Sequence, residues 1–298
     1  MKNNYINISS TNLGGTLFIP ATHKNLFEVV EGKKYPNLKS VLIDCEDSIN
    51  NEDLELALQK IKQLLLNINN SKCLVFIRPR DIEILKEILT YDGVEKIDGF
   101  ILPKFSLQNA EEYLSILESS SHCIMPSIEG EELFDNSKLM QLKNILKPYS
   151  EKIILIRFGL EDMLRQLKMR RECSDSIFDY SVSSTVLGNF IAIFKSAGFS
   201  ISGGVYPCFN DSDGFKRDLK RDLKEGLFSK TIIHPNQIAI CNEIYKVSQR
   251  EFDEALEICE SFKSVFSQNS KMVEKVTMLP YSREILLRAE IYGIRDLS

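Results

Sequence analysis

The sequence predicts an α/β fold: a (β/α)8 TIM barrel with an appended C-terminal helical segment. Three observations predict it. Short apolar runs alternate with longer amphipathic stretches along the chain. Several runs, such as Val41-Leu42-Ile43 and Ile153-Ile154-Leu155-Ile156, are apolar at successive positions, the pattern of a strand covered on both faces in a parallel sheet. The runs also give a count of eight strand–helix units, which fits a barrel of about 250 residues.

The candidate strands are Thr16–Pro20, Ser40–Cys45, Cys73–Arg78, Gly99–Pro103, Cys123–Ile128, Lys152–Phe158, Phe199–Ser202 and Lys230–Ile233. Between them, Asp53–Ile68, Ile82–Thr90, Leu107–Glu118, Lys138–Leu146 and Ser183–Ala197 read as helices. In the first of these, Leu54, Ala57, Leu58, Ile61, Leu64 and Leu65 recur at helical spacing, which builds one apolar stripe. No G-x-G-x-x-G follows the first strand and no G-x-x-x-x-G-K-[ST] loop occurs, so an open nucleotide-binding sheet is the weaker alternative. Residues 1–248 are assigned to the barrel and 249–298 to the extension. In the extension, Phe252–Phe266 and Ser282–Tyr292 read as helices joined by a polar turn.

Composition narrows the function. The 298 residues are 43% hydrophobic and 27% charged, with a formal net charge of −5, as in a soluble globular enzyme. Lys216–Arg217 and Lys220–Arg221, beside Asp218 and Asp222, read as a solvated helix face and not a nucleic-acid patch. The seven cysteines are scattered, odd in number and without a C-x-x-C pair. That pattern predicts no structural disulfide, no zinc site and a reducing cytoplasm. No run approaches the roughly 18 apolar residues of a membrane span, and residues 1–11 lack a signal-peptide core.

Catalytic groups of a barrel gather at the C-terminal ends of its strands. His23 follows strand one. Asp44, Glu46 and Asp47 end strand two, Arg78 ends strand three, and Lys104 follows strand four. Glu129 follows strand five, Glu161 and Asp162 follow strand six, Tyr206 follows strand seven, and His234 follows strand eight. Any single carboxylate there could be a helix cap, but the repeated placement points to a site.

The strings Leu17-Phe18-Ile19-Pro20-Ala21, Ile43-Asp44-Cys45-Glu46-Asp47-Ser48, Ile77-Arg78-Pro79, Leu102-Pro103-Lys104, Ser127-Ile128-Glu129, Phe158-Gly159-Leu160-Glu161-Asp162 and Lys230-Thr231-Ile232-Ile233-His234-Pro235-Asn236-Gln237 occur in this order. Together they resemble the citrate lyase β-subunit-like branch of the HpcH/HpaI aldolase family, which includes malyl-CoA and citramalyl-CoA lyases. The resemblance implies a Mg²⁺-dependent carbon–carbon lyase, or aldolase, acting on a hydroxy acid or its acyl-CoA thioester through a metal-stabilised enolate. By the same resemblance, Glu129 and Asp162 would hold the metal. Arg78, Asp44, Glu46 and Asp47 would be catalytic, with Lys104, His234, Tyr206 and His23 joining Arg78 in binding substrate. Partners would be a small carboxylic acid or acyl-CoA, with no nucleic acid or membrane, in a cytoplasmic homotrimer.

The sequence departs from the family pattern at Leu13-Gly14-Gly15-Thr16, Arg78-Pro79-Arg80, Gly130 and Ser202-Gly203-Gly204-Val205-Tyr206, and it lacks an arginine near Ser183. The glycine pair suggests an enlarged pocket at strand seven. A thioester hydrolase or phosphate-handling relative, or a non-catalytic metal-binding scaffold subunit, stand as alternatives.

Overall fold

The computed structural model describes residues 8–295 of the chain; most of the N-terminal stretch read for a signal core lies outside them. The chain divides into two compact units, Met1–Ile238 and Ala239–Ser298.

The first unit opens with α1 (Ser10–Leu13), β1 (Gly15–Pro20), α2 (Leu26–Val30), β2 (Ser40–Asp44) and α3 (Leu54–Asn67). It continues through β3 (Leu74–Arg78), α4 (Ile82–Leu89), β4 (Gly99–Leu102), α5 (Ala110–Leu117), β5 (Cys123–Ile128) and α6 (Asn136–Leu146). The last elements are β6 (Arg157–Phe158), α7 (Leu160–Gln166), α8 (Ser181–Ser196), α9 (Ser212–Lys224), β7 (Lys230–Ile232) and α10 (Asn236–Tyr245), within which the two units divide. The strands form one parallel sheet in the order β6-β5-β4-β3-β2-β1-β7. Single bridges Ile156↔Ile201 and Gly203↔Lys230 join the segment 201–203 to both sheet edges and close the ring. The predicted seventh strand, Phe199–Ser202, thus exists only as bridges, while the predicted eighth is β7. The long run at 152–158 likewise pairs fully only at Arg157 and Phe158, with single bridges at Ile153 and Ile156.

Register explains the barrel interior. Phe18 pairs with Leu42, and Leu42 with Phe76, so all three face the same way. With Leu13, Ile101, Met125, Ile154 and Leu155 they form an apolar plug. Ala57, Leu58, Ile61, Leu64 and Leu65 of α3 are buried, as their spacing predicts.

Four corrections concern this unit. The basic residues of α9 do face solvent, but Asp218 and Asp222 between them are buried. The Lys230 ammonium reaches both carboxylates, at 2.7 and 2.6 Å, and Arg171 pairs with Asp218 at 3.3 Å. Cys173 and Cys208 form a disulfide, with Cα atoms 5.7 Å apart, because the loop after α7 folds against the loop that precedes α9. Linear spacing does not reveal such a neighbourhood, and the scattered cysteines lose their force as a sign of a reducing compartment. The glycine pair opens no pocket. A Cβ on Gly203 would lie 2.1 Å from Asp222 Oδ2, and one on Gly204 2.8 Å from Leu160 Cδ2; both spaces are already filled. Finally, Tyr206 lines no open site. It is 1% exposed, and its hydroxyl donates toward Asp211 Oδ2 (2.7 Å) and the Cys173 carbonyl.

The second unit carries β8 (Val247–Ser248), α11 (Gln249–Glu260), β9 (Val265–Gln268), β10 (Lys271–Glu274), α12 (Lys275–Tyr292) and β11 (Ile294–Arg295). Ser248 and Glu251 make a reciprocal capping box at the start of α11, satisfying amide groups the first turn leaves open. Val247, Ala255 and Ile285 form its small core. The sequence reading carried the first helix of this unit to Phe266, but the helix stops at Glu260. Val265 and Phe266 belong to an antiparallel hairpin turned at Asn269 and Ser270, both at positive φ. Among the described residues no helix is long and apolar enough to cross a membrane.

The buried Lys230 yields a test of the first unit. Removing one partner of a buried ion pair leaves uncompensated charge and costs about 3–5 kcal/mol. Lys230→Met is therefore expected to lower unfolding free energy in urea melts by at least about 3 kcal/mol. Lys220→Met, on the exposed face of α9, should change it by no more than about 0.5 kcal/mol.

Candidate active site

The site is built from neighbouring strand ends. Asp44 is the last residue of β2 and Arg78 the last of β3, paired in register. Period-two alternation puts them on the same inward face as Leu42 and Phe76, one step nearer the mouth. Their side chains meet in a bidentate contact: Arg78 Nε donates to Asp44 Oδ1 at 2.6 Å and Nη2 to Oδ2 at 2.8 Å. The same Asp44 oxygens accept from the amides of Glu46 (3.1 Å) and Ser48 (3.2 Å). One carboxylate thus fixes the guanidinium and folds the loop that carries Glu46 and Asp47.

Glu46 links two cations, with Arg78 Nη1 at 2.8 Å and Lys104 Nζ at 2.6 Å. Asp47 is more open and lies 3.4 Å from Lys104 Nζ. Arg80, an apparent departure from the family pattern, clamps this loop from outside through the carbonyls of Cys45 and Ile49 and the side chain of Asn51. A guanidinium has five N–H groups. Arg78 spends three on Asp44 and Glu46, which leaves one hydrogen on each Nη beyond those contacts.

Lys104 holds a left-handed backbone, φ 47°, unusual for a residue with a side chain. Its amide donates to Glu129 Oε1 at 2.6 Å and its carbonyl accepts from Asn109 Nδ2 at 2.9 Å. The strained turn therefore aims one amide at Glu129 and the ammonium at Glu46. Glu129 is buried at the end of β5. A Cβ on Gly159 would come within 2.1 Å of the Glu129 Cβ, so the turn after β6 passes directly against it. Burial, then the nearby Glu46 and Asp162 charges, push the Glu129 carboxyl up to about 7, against the pull of the Lys104 amide. Asp162, in the first turn of α7, is paired with Arg165 at 2.7 Å. Arg165 is largely exposed, so that pair is weak.

The structure therefore brings together Asp44, Glu46, Asp47, Arg78, Lys104 and Glu129, with Asp162 close enough to act on Glu129. It does not bring His23 or His234 into these contacts. His23 lines a separate cleft of about 460 Å³ with Lys24, Phe27, Lys60 and Gln63. Burial, then Lys34, Lys24 and Lys60, lower its pKa. His234 stacks on Phe209, ring centroids 4.4 Å apart. Sequence reasoning missed Phe18, whose ring lies 5.5 Å from the Arg78 guanidinium, and Arg157, 4.9 Å from the same ring. A single charge inside the apolar run 152–158 was the available signal for Arg157.

A parallel barrel whose ionisable side chains collect over the C-terminal strand ends is the arrangement of a TIM-barrel enzyme. The chain belongs to the C–C bond lyase family of the TIM-barrel fold, whose model matches residues 7–294. It is 29% identical over 154 residues to citrate lyase subunit beta of Escherichia coli K12, 49% of each chain; this chain thus spans about half the length of that relative. It is 22% identical over 283 residues to a (3S)-malyl-CoA thioesterase of Cereibacter sphaeroides ATCC 17025, covering 92% of this chain and 93% of the relative. The fold superposes on CitE of Mycobacterium tuberculosis, solved with magnesium, acetoacetate and coenzyme A. That match has a TM-score of 0.69 and 18% identity, covering 94% of this chain and 99% of the other.

Asp44 sets a pH-dependent part of the stability. Burial alone would raise its pKa, but the hydrogen bonds and charge of Arg78 outweigh this and hold it below the usual carboxylate range. A carboxyl depressed in the fold stabilises it above the unfolded pKa, about 3.9, and loses that contribution as pH falls through the folded value. Asp44→Asn should cost about 2–3 kcal/mol at pH 7, Glu46 still being left to Arg78. In denaturant melts across pH, the gap to wild type should stay level down to about pH 4 and close below it.

Proposed function

We propose that the chain is a Mg²⁺-dependent carbon–carbon lyase acting on a hydroxy acid or its CoA thioester, with Glu129 and Asp162 as metal ligands. The observation that carries this is the crowding of Glu129 by Glu46 and Asp162 in a buried position, which raises its pKa toward 7. Carboxylates gathered without a cation repel one another, and a divalent ion relieves that cost. Both are hard oxygen donors, which suits Mg²⁺. Among the described residues no group of three or more His, Cys, Asp or Glu side chains is placed to hold a metal; the pair would be completed by water and substrate, as Mg²⁺ commonly is. The complex of Mycobacterium tuberculosis CitE with magnesium, acetoacetate and coenzyme A supports the same choice of metal and of an acyl-CoA. Bound Mg²⁺ would act as a Lewis acid toward substrate oxygens.

The protein's own groups supply orientation and charge. The remaining Nη hydrogens of Arg78 donate to the substrate oxygen on which negative charge develops, and their direction is preset by Asp44. Glu46 and Asp47 hold Lys104 over the mouth, where its ammonium attracts an anionic substrate. His234, on the rim beside Phe209, meets the more distal part of a substrate. By the motif resemblance the working form is a homotrimer.

A second reading, hydrolysis of a thioester, is favoured by the likeness to (3S)-malyl-CoA thioesterase over 92% of the chain. The two differ in products. A lyase yields two carbon fragments, whereas a hydrolase releases free CoA and leaves the acid skeleton whole.

Calorimetric titration with oxalate tests the metal site. Wild type should bind oxalate only with Mg²⁺ present, and Glu129→Gln and Asp162→Asn should each weaken that binding by at least about tenfold, since even outer-shell losses cost this much. Oxalate binding that ignores Mg²⁺, or survives both substitutions, would overturn the assignment.

A further inference from the structure

Arg157 is a charged residue of the barrel lumen that neither the fold nor the candidate site accounts for. It is 4% exposed and stands opposite Ser127 in the β5–β6 register, so it faces inward with Met125 and Ser127. Its guanidinium crosses the lumen. Nη1 lies 3.8 Å from Met125 Sδ, in the apolar plug, and Nη2 donates to Thr231 Oγ1 on β7. Its Cζ lies 4.9 Å from the Phe18 ring, whose centroid is also 5.5 Å from the Arg78 guanidinium. Phe18, the floor shared by the two arginines, is itself only partly buried.

The charges are unevenly matched. Arg78 is held by Asp44 and Glu46, Lys104 by Glu46 and Asp47, and Arg165 by Asp162. Among the described residues no carboxylate pairs with Arg157. A guanidinium stays protonated in proteins, and a buried charge without a counter-ion is costly. The neighbouring Arg78 adds repulsion to that burial and pulls its pKa down, with only Glu129 opposing. A hydroxyl, a thioether and a ring face solvate the cation in part but leave its charge unbalanced. An anion entering from the mouth over Phe18 would meet this cation while the other mouth cations remain engaged.

We propose that Arg157 is a specificity-determining residue: it receives an anionic group at the inner end of the substrate, so that the enzyme selects an acid with a carboxylate at that end over one with a methyl group there. The proposal rests on the reading of the mouth as a substrate site, but it needs no particular metal. A hydrogen-bonded charge contributes about 1.5–3 kcal/mol, so the selection is worth roughly 10- to 100-fold in affinity.

The test uses two stable acids on the same four-carbon skeleton, hydroxybutanedioate and 2-hydroxybutanoate, titrated calorimetrically into the full chain with and without Mg²⁺. Wild type should bind the dianion at least about tenfold more tightly than the monoanion. Arg157→Met should bring the two within about threefold of each other by weakening the dianion alone, with Tm unchanged or raised, because the variant buries no unpaired charge. Arg157→Lys should keep part of the preference and serves where the methionine variant does not fold. An unchanged preference in Arg157→Met, equal weakening of both acids, or no preference in wild type would overturn the proposal. A fall in Tm with the preference intact would make Arg157 a structural brace. Loss of Mg²⁺ dependence in wild type with the Arg157 effect intact would sink the metal reading alone.

Discussion

The bidentate contact between Asp44 and Arg78 is the constraint on which the site depends. It follows directly from pairing two parallel strands in register, so that their last residues project into the lumen side by side. Each partner needs the other, since an isolated charge at this depth would be costly. Asp44 also turns the following loop by accepting the amides of Glu46 and Ser48. That turn carries Glu46 to Lys104, and the Lys104 backbone in turn holds Glu129. A chain of short contacts therefore runs from the end of β2 through β3 and β4 to β5. Rigid strand ends fix the positions of its members more precisely than free loops could.

Much of this was legible in the sequence, for a physical reason. A barrel strand reports its burial through uninterrupted apolar runs and its C-terminal end through the first charge after them. Asp44, Arg78 and Glu129 were found that way, and the helical stripe of α3 by its spacing. What escaped depends on neighbours distant in sequence. Asp218 and Asp222 alternate with basic residues and look solvated, yet they are the inward side of α9 because Lys230 stands on the strand beneath it. Gly203 looked like added space, whereas it is the room Asp222 requires. Cys173 and Cys208 become neighbours only when two loops fold together. The start of the hairpin in the second unit reads as helix because Val265 and Phe266 continue an apolar spacing, while Asn269 and Ser270 set a tight turn that propensity alone leaves open.

The two buried ionic groups of the first unit show how differently charge can be compensated. Around Lys230, two carboxylates face an ammonium and a guanidinium, and the set is neutral and closed. Such a cluster locks α9 and the loop after α7 onto the barrel wall, and nothing about it invites a ligand. Between the mouth and the floor of the lumen the compensation is incomplete on both signs. Glu129 is crowded by other carboxylates, while no carboxylate among the described residues pairs with Arg157.

That imbalance has direction. Negative charge collects where Glu129, Asp162 and Glu46 approach the rim, and positive charge lies deeper, under the face of Phe18. A cation at the rim and an anion at the floor would each lower the energy of the site, and one bound substrate anion with its metal would satisfy both. The strain in Lys104, at φ 47°, fits the same account. Backbone strain persists where surrounding contacts over-determine a position, and here they hold an amide on Glu129 and an ammonium on Glu46. Stability and function therefore divide the barrel: the wall closes its charges internally, and the mouth leaves them open in opposite senses a few residues apart.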